Sequence, residues 1–320
     1  MTTATASTAD EATTMATQIS DSVERLRHTT TAVRLSFTWL GVRKTLTPGQ
    51  REQAAGSFNA EGKFLSAGKK LIDTNHPSFR AVTKDKGEAT KYWKNQTLPY
   101  PEPGLRLIRQ SDVADFGQRI DRFKDELSFA VVDLEEHYEE LRQAARERLG
   151  ELFNASDYPV SLIDAFCIGF EVVNLDPPEY LKTLSPQVYF AECERVRSRF
   201  TTAVELAESA FSEELARLVD HISNRLAGAE DGQPRVFRDS VVTNLTDFFQ
   251  RFRRLNVGCN EELDALVDRA RNVISGVQPQ QLRDSQNLRN HVATQMASIQ
   301  SNLDQLLVDR PRRRIQRRPR

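Results

Sequence analysis

A long stretch with a seven-residue apolar repeat constrains this chain more than any other feature. Between Ser111 and Leu149, one series of apolar residues recurs every seven positions, and a second series of apolar and aromatic residues lies between them. The first series consists of Val113, Ile120, Leu127, Leu134 and Leu141. The second series slips at His137, where the apolar position moves to Tyr138. This spacing predicts one continuous helix about 58 Å long, which needs a partner to cover its apolar stripe.

The segment Ser185–Leu226 is the predicted partner of this helix. Ser185 is a typical N-cap residue, Pro186 suits the first helical position, and Gly228 closes the segment. Two amphipathic helices of similar length predict a long antiparallel αα-hairpin with coiled-coil-like packing. The connection at 150–184 is predicted to form an ordered cap. If the first helix is unbroken, this cap lies too far from the strands before Ser111 to share one sheet with them.

The sequence before the long helix predicts a small basic α+β head at 21–110. Residues Val33 to Trp39 alternate between apolar and polar side chains, which indicates a half-buried strand. Leu105 to Ile108 predicts a second short strand. Between the two strands we expect two or three short helices, the last of which runs from about Pro77 to Lys94.

The remaining segments complete a mainly α fold class, with the long αα-hairpin at 111–232. Residues 1–20 are rich in Thr, Ala and Ser and predict a disordered leader without a signal core, hence a cytoplasmic protein. No apolar run is long enough to span a membrane. The C-terminal segment 233–309 is predicted to be helical, and the Arg-rich tail 310–320 is predicted to be disordered. The expected C-terminal helices cover about 236–256, 260–274 and 279–308.

Charge is distributed unevenly along a chain that is neutral overall. The 44 Lys and Arg residues are balanced by 45 Asp and Glu residues, which excludes a bulk polycation. However, Gly41–Gln110 contains 13 basic and 6 acidic residues, and the last eleven residues contain seven arginines and no acid. Ser111–Leu149 has the opposite balance, with 11 acidic and 6 basic residues. The two basic zones predict contact with a polyanion.

Aromatic residues beside the cations of the head favour nucleic acid as this polyanion. Cations follow a phosphate backbone while aromatic rings stack on bases. The candidate nucleic-acid-binding residues are Lys69, Lys70, Lys91, Tyr92, Trp93, Lys94, Arg312, Arg313, Arg314, Arg317 and Arg318. The alternatives are a core position for the rings, a solvated face for the lysines, and an acidic protein as the partner of the tail.

The sequence contains no recognisable motif for catalysis, cofactor binding or metal binding. The nearest approach to a phosphate-binding P-loop, Gly62 to Lys70, has five residues between its glycines and Lys70 in place of Ser or Thr. His137 has acidic neighbours on its helix, but the Glu-x-x-His spacing of metal sites in helix bundles is absent. We therefore assign no catalytic residue, no cofactor and no metal ligand.

One stretch of the sequence resembles a known group of proteins. The run Lys91–Ile108, with Trp39–Lys44 upstream and the long helix downstream, is similar to a family of uncharacterised, mostly helical bacterial, phage and plasmid proteins. The resemblance covers about Val33 to Leu226. Its most typical residues are Trp93, Pro99 and Gly104. It implies no chemical activity, but it does imply a part in a multi-protein bacterial or mobile-element system.

Two functional hypotheses follow from these features. The first is a non-enzymatic helical scaffold or adaptor, whose long helices present surfaces to a protein partner or to a second copy. The alternative is a nucleic-acid-binding protein that uses the basic head and the Arg-rich tail. An enzyme of unknown type ranks third, since no catalytic constellation supports it.

Overall fold

The computed structural model describes residues 20–226, 239–258 and 260–308. In these ranges the chain is mainly helical with a small antiparallel sheet, which confirms the predicted mainly α class. The helices are α1 (20–29), α2 (Pro48–Gly56), α3 (Pro77–Gln96), α4 (Val113–Glu136), α5 (Tyr138–Leu149), α6 (Tyr180–Leu184), α7 (Pro186–Leu226), α8 (Ser240–Leu255), α9 (Glu261–Ile274), α10 (Pro279–Asp284) and α11 (Gln286–Val308). The strands are β1 (Thr30–Thr38), β2 (Arg43–Thr45), β3 (Gly68–Lys70), β4 (Leu98–Pro99), β5 (Leu105–Arg109) and β6 (Cys167–Val173).

Two compact units share the chain. The first contains the described residues of Met1–Ala32, Thr97–Gln110 and Asn174–Arg320, and the second contains Val33–Gln96 and Ser111–Val173. Strand β1 begins in the first unit and continues in the second. The predicted leader lies outside the described residues except for residue 20, and the Arg-rich tail lies outside them entirely. The five predicted domain segments follow the sequence, and their boundaries stay a prediction.

The four-stranded sheet has the order β4-β5-β1-β6. The strands predicted at Val33–Trp39 and Leu105–Ile108 are confirmed as β1 and β5, with slightly shifted ends. Strand β6 joins the same sheet, although the cap segment that contains it was expected to lie too far away. That expectation depended on an unbroken helix, and the structure shows instead that α4 ends at Glu136.

In the second unit, α4 packs against α3 and β6. Its buried side chains follow the apolar pattern of the sequence: Phe116, Ile120, Phe123, Leu127, Val131 and Leu134. The predicted continuous helix is wrong at His137, which separates α4 from α5. The backbone N–H of His137 donates to the carbonyl of Leu134 at 3.2 Å, one residue closer than in a regular α-helix.

In the first unit, α7 packs mainly against α11 and also against α8, and α11 packs on α9 as well. The helix predicted at Ser185–Leu226 is confirmed as α7. Its predicted pairing with 111–149 as a coiled-coil-like hairpin is not confirmed. The third predicted C-terminal helix is divided at Ser285 into α10 and α11.

Candidate nucleic-acid interface

Helix α3 carries four lysines of the basic head and has two distinct faces. Pro77 occupies its first position, where the missing N–H of proline costs nothing. Phe79, Val82 and Ala89 are buried on one face. Tyr92 lies next to this face, and its ring stacks on Phe116 with ring centroids 5.6 Å apart and an interplanar angle of 12°. The apolar face of α3 is therefore held against α4.

Four cations form a stripe on the opposite face of α3. Arg80, Lys84, Lys91 and Lys94 are all exposed. Their spacings of four, seven and three residues keep them on one side of a helix with 3.6 residues per turn. The row extends about 21 Å along the axis. Gly87 lies in the middle of the row, and a Cβ there would meet nothing within 4 Å. We call these four cations the α3 basic stripe.

Acidic side chains neutralise little of the charge of Arg80, Lys84 and Lys91. Lys84 Nζ lies 3.7 Å from a carboxylate oxygen of Glu88, and the two side chains are 71% and 48% exposed. A pair so exposed is weak and leaves Lys84 able to bind another anion. In the part of the chain that the structure describes, Arg80 and Lys91 form no ion pair. The stripe is therefore a concentrated positive charge that faces solvent.

A largely apolar groove of about 860 Å³ begins at the N-terminal end of α3. Trp39, Val42, Pro77 and Phe79 line it, together with Arg80 and Lys84 of the α3 basic stripe. The ring of Trp39 packs edge-on against Phe166, with centroids 4.9 Å apart. Lys86 Nζ lies 4.3 Å from the centroid of Trp39, within the range of a cation–π interaction. An aromatic groove thus continues directly into the row of cations.

Lys69, a predicted binding residue, lies inside the protein instead of on its surface. Its Nζ is 2.6 Å from Asp157 Oδ2 and donates to the carbonyl of Leu152 at 2.5 Å. Lys44 Nζ approaches the other carboxylate oxygen of Asp157 at 2.5 Å. Hydrogen bonds from Lys44 and Lys69 hold the pKa of Asp157 below its usual range. This buried carboxylate fixes the antiparallel pair β2–β3 to the short helical turn Ala155–Asp157.

The β2–β3 pair itself presents further positive charge. Arg43 and Lys70 are opposite each other in the antiparallel register, and both are exposed. Like charges directly opposite each other destabilise a strand pair. The pair β2–β3 therefore depends on its anchor at Asp157, and an anion bound near Arg43 and Lys70 would relieve their repulsion.

The predicted binding residues fall into three groups. Lys70, Lys91 and Lys94 are exposed on the second unit, as a direct contact with phosphate requires. Lys69, Tyr92 and Trp93 are buried or half-buried, and the contacts of Tyr92 match the alternative that the rings belong to the core. The predicted tail residues Arg312, Arg313, Arg314, Arg317 and Arg318 lie outside the described residues.

Two cations of the α3 basic stripe and the tryptophan of the groove were not among the binding residues predicted from the sequence. Arg80 and Lys84 lie four residues apart on a helix that was predicted correctly, eleven and seven residues before Lys91. A count of charged residues along the sequence hides this shared face, whereas a helical projection shows it. Trp39 carried no comparable signal, because its neighbours in the groove, apart from Val42, come from the segment 74–84.

Two other features of the described residues bear on the kind of site. The rings of His76 and His137 lie 5.3 Å apart, but nowhere in 20–226, 239–258 or 260–308 do three or more metal-ligating side chains come together. None of the helices in these ranges has the length and apolar character needed to cross a membrane. No protein-family model, curated protein or solved structure matches this chain, so the resemblance noted in its sequence stays a prediction.

Proposed function

We propose that this protein binds nucleic acid without sequence specificity, through the α3 basic stripe. The observation that carries the proposal is the segregation of α3 into a buried apolar face and a face with four exposed cations. Cations at this density bind phosphates of any sequence, because they interact with the backbone and release its counterions. The proposal describes a binding protein rather than an enzyme.

The groove at the N-terminal end of α3 supports nucleic acid over other polyanions. Trp39, Phe79 and Pro77 give the groove apolar walls. A sulfated polymer or an acidic protein would not require an apolar groove for binding. A nucleotide base can stack in an aromatic groove while the neighbouring phosphates contact the cations. The simplest alternative is a solvated face without a partner, which is the usual meaning of a row of lysines.

A pair of charge reversals separates these two possibilities. Lys91→Glu changes the α3 basic stripe. Arg122→Glu makes the same change of charge on α4, at another exposed side chain that forms no ion pair within the described residues. We expect Lys91→Glu to weaken binding about tenfold at low salt and to reduce the slope of log K against log salt by about one. Fluorescence anisotropy with labelled single- and double-stranded DNA and RNA measures both quantities.

The control decides how the result is interpreted. We expect Arg122→Glu to change the affinity less than about twofold, since only local phosphate contacts are lost in Lys91→Glu. An equal loss in both variants would mean that net charge alone governs binding. Affinity that does not depend on salt would contradict the proposal. A chain that ends at Asp309 shows how much the Arg-rich tail adds.

As a second function we propose protein docking, in keeping with a scaffold or adaptor in a multi-protein system. Exposed apolar side chains on α6 and at the start of α7 favour it. Tyr180, Leu184, Val188 and Phe190 are 62%, 75%, 47% and 63% exposed. Among the described residues, the first ten positions of α7 contribute no buried side chain, because its buried series begins at Val196. Large exposed apolar side chains concentrated in one part of a chain are typical of interaction sites.

The docking proposal predicts an association that depends on these exposed side chains. The double variant Leu184→Ser/Phe190→Ser should remove concentration-dependent self-association, or the binding of a partner captured from the native host. Analytical ultracentrifugation measures the first and quantitative affinity capture the second. Ile163→Ser is the matched control, since Ile163 is 57% exposed in the second unit. A monomer that captures no partner in either form would contradict the proposal.

A further inference from the structure

The first unit contains a cleft with an unusual concentration of arginine. Residues of α1, the end of β5 and the end of α8 enclose a space of about 300 Å³. Four arginines line it: Arg25, Arg109, Arg253 and Arg254. Among the described residues that line the cleft there is no Asp or Glu. Cations gathered in this way create a strongly positive potential, which favours an anion in the space between them.

Arg25 and Arg109 both reach the C-terminal end of α8 or the loop that follows it. Arg109 Nη1 donates to the carbonyl of Arg254 at 3.3 Å, at the C-terminal end of α8. Arg25 Nη1 lies 3.5 Å from the position that a Cβ on Gly258 would occupy, so its guanidinium reaches the loop after α8. Within the described ranges, Arg25, Arg109 and Arg253 form no ion pair. Their charges are therefore not neutralised by a carboxylate.

Two further arginines, Arg106 and Arg251, belong to the same elements as arginines of the cleft, and Arg251 Nη2 lies 2.5 Å from a carboxylate oxygen of Glu214. Arg106, on the same strand as Arg109, has its pKa lowered to about 10 by burial and by the charge of Arg251. A carboxylate close to the cleft is Asp264, which accepts a hydrogen bond from the amide of Asn256 at 2.7 Å. Burial raises the pKa of Asp264. The excess of positive charge is therefore a property of the side chains that line the cleft.

The floor of the cleft is apolar. It is formed by Leu26, Leu98, Leu107, Leu255 and Val257, and all five are buried. A volume of about 300 Å³ is at the lower end of the range for small-molecule sites. An apolar floor beneath cationic walls suits a small molecule with one anionic group and one apolar part. A strand of nucleic acid is too large for such a space.

We propose that this cleft binds a small organic phosphate. Its phosphate group would lie between Arg25 and Arg109, because the planar guanidinium fork matches two phosphate oxygens at once. Its apolar part would lie against Val257, the most exposed of these five apolar side chains of the floor. The site belongs to the first unit and does not depend on the α3 basic stripe, which belongs to the second. The alternative is that the arginines only stabilise the C-terminal ends of α1 and α8.

Calorimetric titration of the full chain at low salt tests this proposal, with phenyl phosphate and inorganic phosphate as probes. We expect phenyl phosphate to bind at one site per chain, at least about fivefold more tightly than inorganic phosphate, because it also covers the apolar floor. Arg25→Gln should weaken it at least about tenfold, and Arg25→Lys less, since Lys keeps the charge without the fork. Arg217→Gln, an exposed arginine of α7, is the control and should leave binding unchanged.

Several outcomes would overturn the proposal. They are the absence of saturable heat, equal affinity for the two probes, unchanged binding by Arg25→Gln, and an equal loss in Arg217→Gln. Arg109→Gln is tested after its fold is checked by circular dichroism, because Arg109 also caps α8. If that variant unfolds, Arg25→Gln alone decides the matter. Lys91→Glu should bind phenyl phosphate normally, so failure of this proposal is distinguishable from failure of the proposed nucleic-acid binding.

Discussion

The carboxylate of Asp157 determines which lysines of the basic head face solvent. Its side chain is 2% exposed, and it holds Lys69 at 6% exposure while the neighbouring Lys70 stays in water. Sequence alone could not make this distinction. Strand β3 has only three residues, which is too short to show an alternation of faces, and the partner of Lys69 lies far along the chain. The exposure of Lys69 and Lys70 could therefore be assigned only from the three-dimensional structure.

Replacement of Asp157 by Asn should destabilise the protein. The variant keeps the shape but removes the charge, so the buried ammonium of Lys69 loses its counterion. We expect a loss of about 3 kcal/mol in the free energy of unfolding, measured by urea denaturation. Asp164→Asn is the control, because Asp164 lies close to Asp157 in the sequence and is exposed. It should reduce the free energy of unfolding by less than about 0.5 kcal/mol. Equal losses would show that the anchor at Asp157 contributes nothing specific.

The pH dependence of stability in wild type and Asp157→Asn provides a second test. The pKa of Asp157 is lowered in the folded state, chiefly by the hydrogen bonds from Lys44 and Lys69. Its stabilising contribution is therefore fully present above the unfolded pKa, near 3.9, and is lost as pH falls through the lower folded value. The stability difference between wild type and Asp157→Asn should shrink in acid and be constant near neutrality. A difference that grows in acid would contradict the assignment.

The element with the most informative deviation from its sequence pattern is the pair α4–α5. At His137 the backbone N–H bonds to Leu134, and the Nδ1 of the ring forms a 2.8 Å hydrogen bond with the carbonyl of Asp133. In a regular helix the backbone N–H of this residue would take that carbonyl. The side chain thus replaces a backbone hydrogen bond and stabilises the break. The slip of the apolar pattern from His137 to Tyr138 marked this position in the sequence.

The hydrogen bond at the break predicts how His137 titrates. The bond to the carbonyl of Asp133 favours the protonated ring, and so do the carboxylates of Asp133, Glu140 and Glu136, so its pKa is raised. The ring of His76, 5.3 Å away, also faces it. The stabilising contribution is fully present below the unfolded pKa, near 6.5, and is lost as pH rises through the higher folded value.

Nuclear magnetic resonance titration of the imidazole signals measures this pKa, with His137→Gln used to assign the resonance. We expect a midpoint above 6.5 for His137. Wild type should also exceed His137→Gln in stability by more at pH 5.5 than at pH 8.5. A midpoint at or below 6.5, or a difference that increases with pH, would show that the ring does not bond to Asp133 in solution.

The amphipathic pattern of α4 predicted its buried face, but it did not predict the elements that cover this face. The stripe on α4 is buried as expected, and it packs on α3 and β6. Any apolar surface of suitable shape can cover such a stripe. The periodicity of a helix therefore does not identify the element that packs against it. The strands β2 and β3 escaped prediction for another reason, because their three-residue sequences are cationic and show no apolar alternation.

On the scale of the whole molecule, the partner of α7 comes from the end of the described chain. Helix α11 buries Val292, Met296, Ile299 and Leu303, spaced as one helical face. These positions were within a predicted helix, and their period was visible in the sequence. The pairing of α7 with α11 was not visible in the sequence, because α8, α9 and α10 lie between these two helices along the chain. Long-range topology is the part of this fold that composition and periodicity leave undetermined.

Truncation of one side chain tests the α7–α11 packing. Leu303 is fully buried, so Leu303→Ala should cost about 3 kcal/mol in the free energy of unfolding, from lost apolar contact and a residual cavity. Circular dichroism during urea denaturation measures it. Leu206→Ala on α7, a side chain that is 37% exposed, should cost less than about 1 kcal/mol. If the two costs are equal, Leu303 does not lie in a packed interface.

The interleaving of the two units has a consequence for how such a protein can change over generations. Each unit draws on separated stretches of the chain, and the sequence passes between the units four times, after residues 32, 96, 110 and 173. A single genetic crossover between residues 33 and 173 therefore leaves both units incomplete. Such a crossover divides the unit that carries the α3 basic stripe and separates the α1 part of the arginine cleft from its α8 part. New combinations from this region must arise by substitution within the chain rather than by exchange of modules.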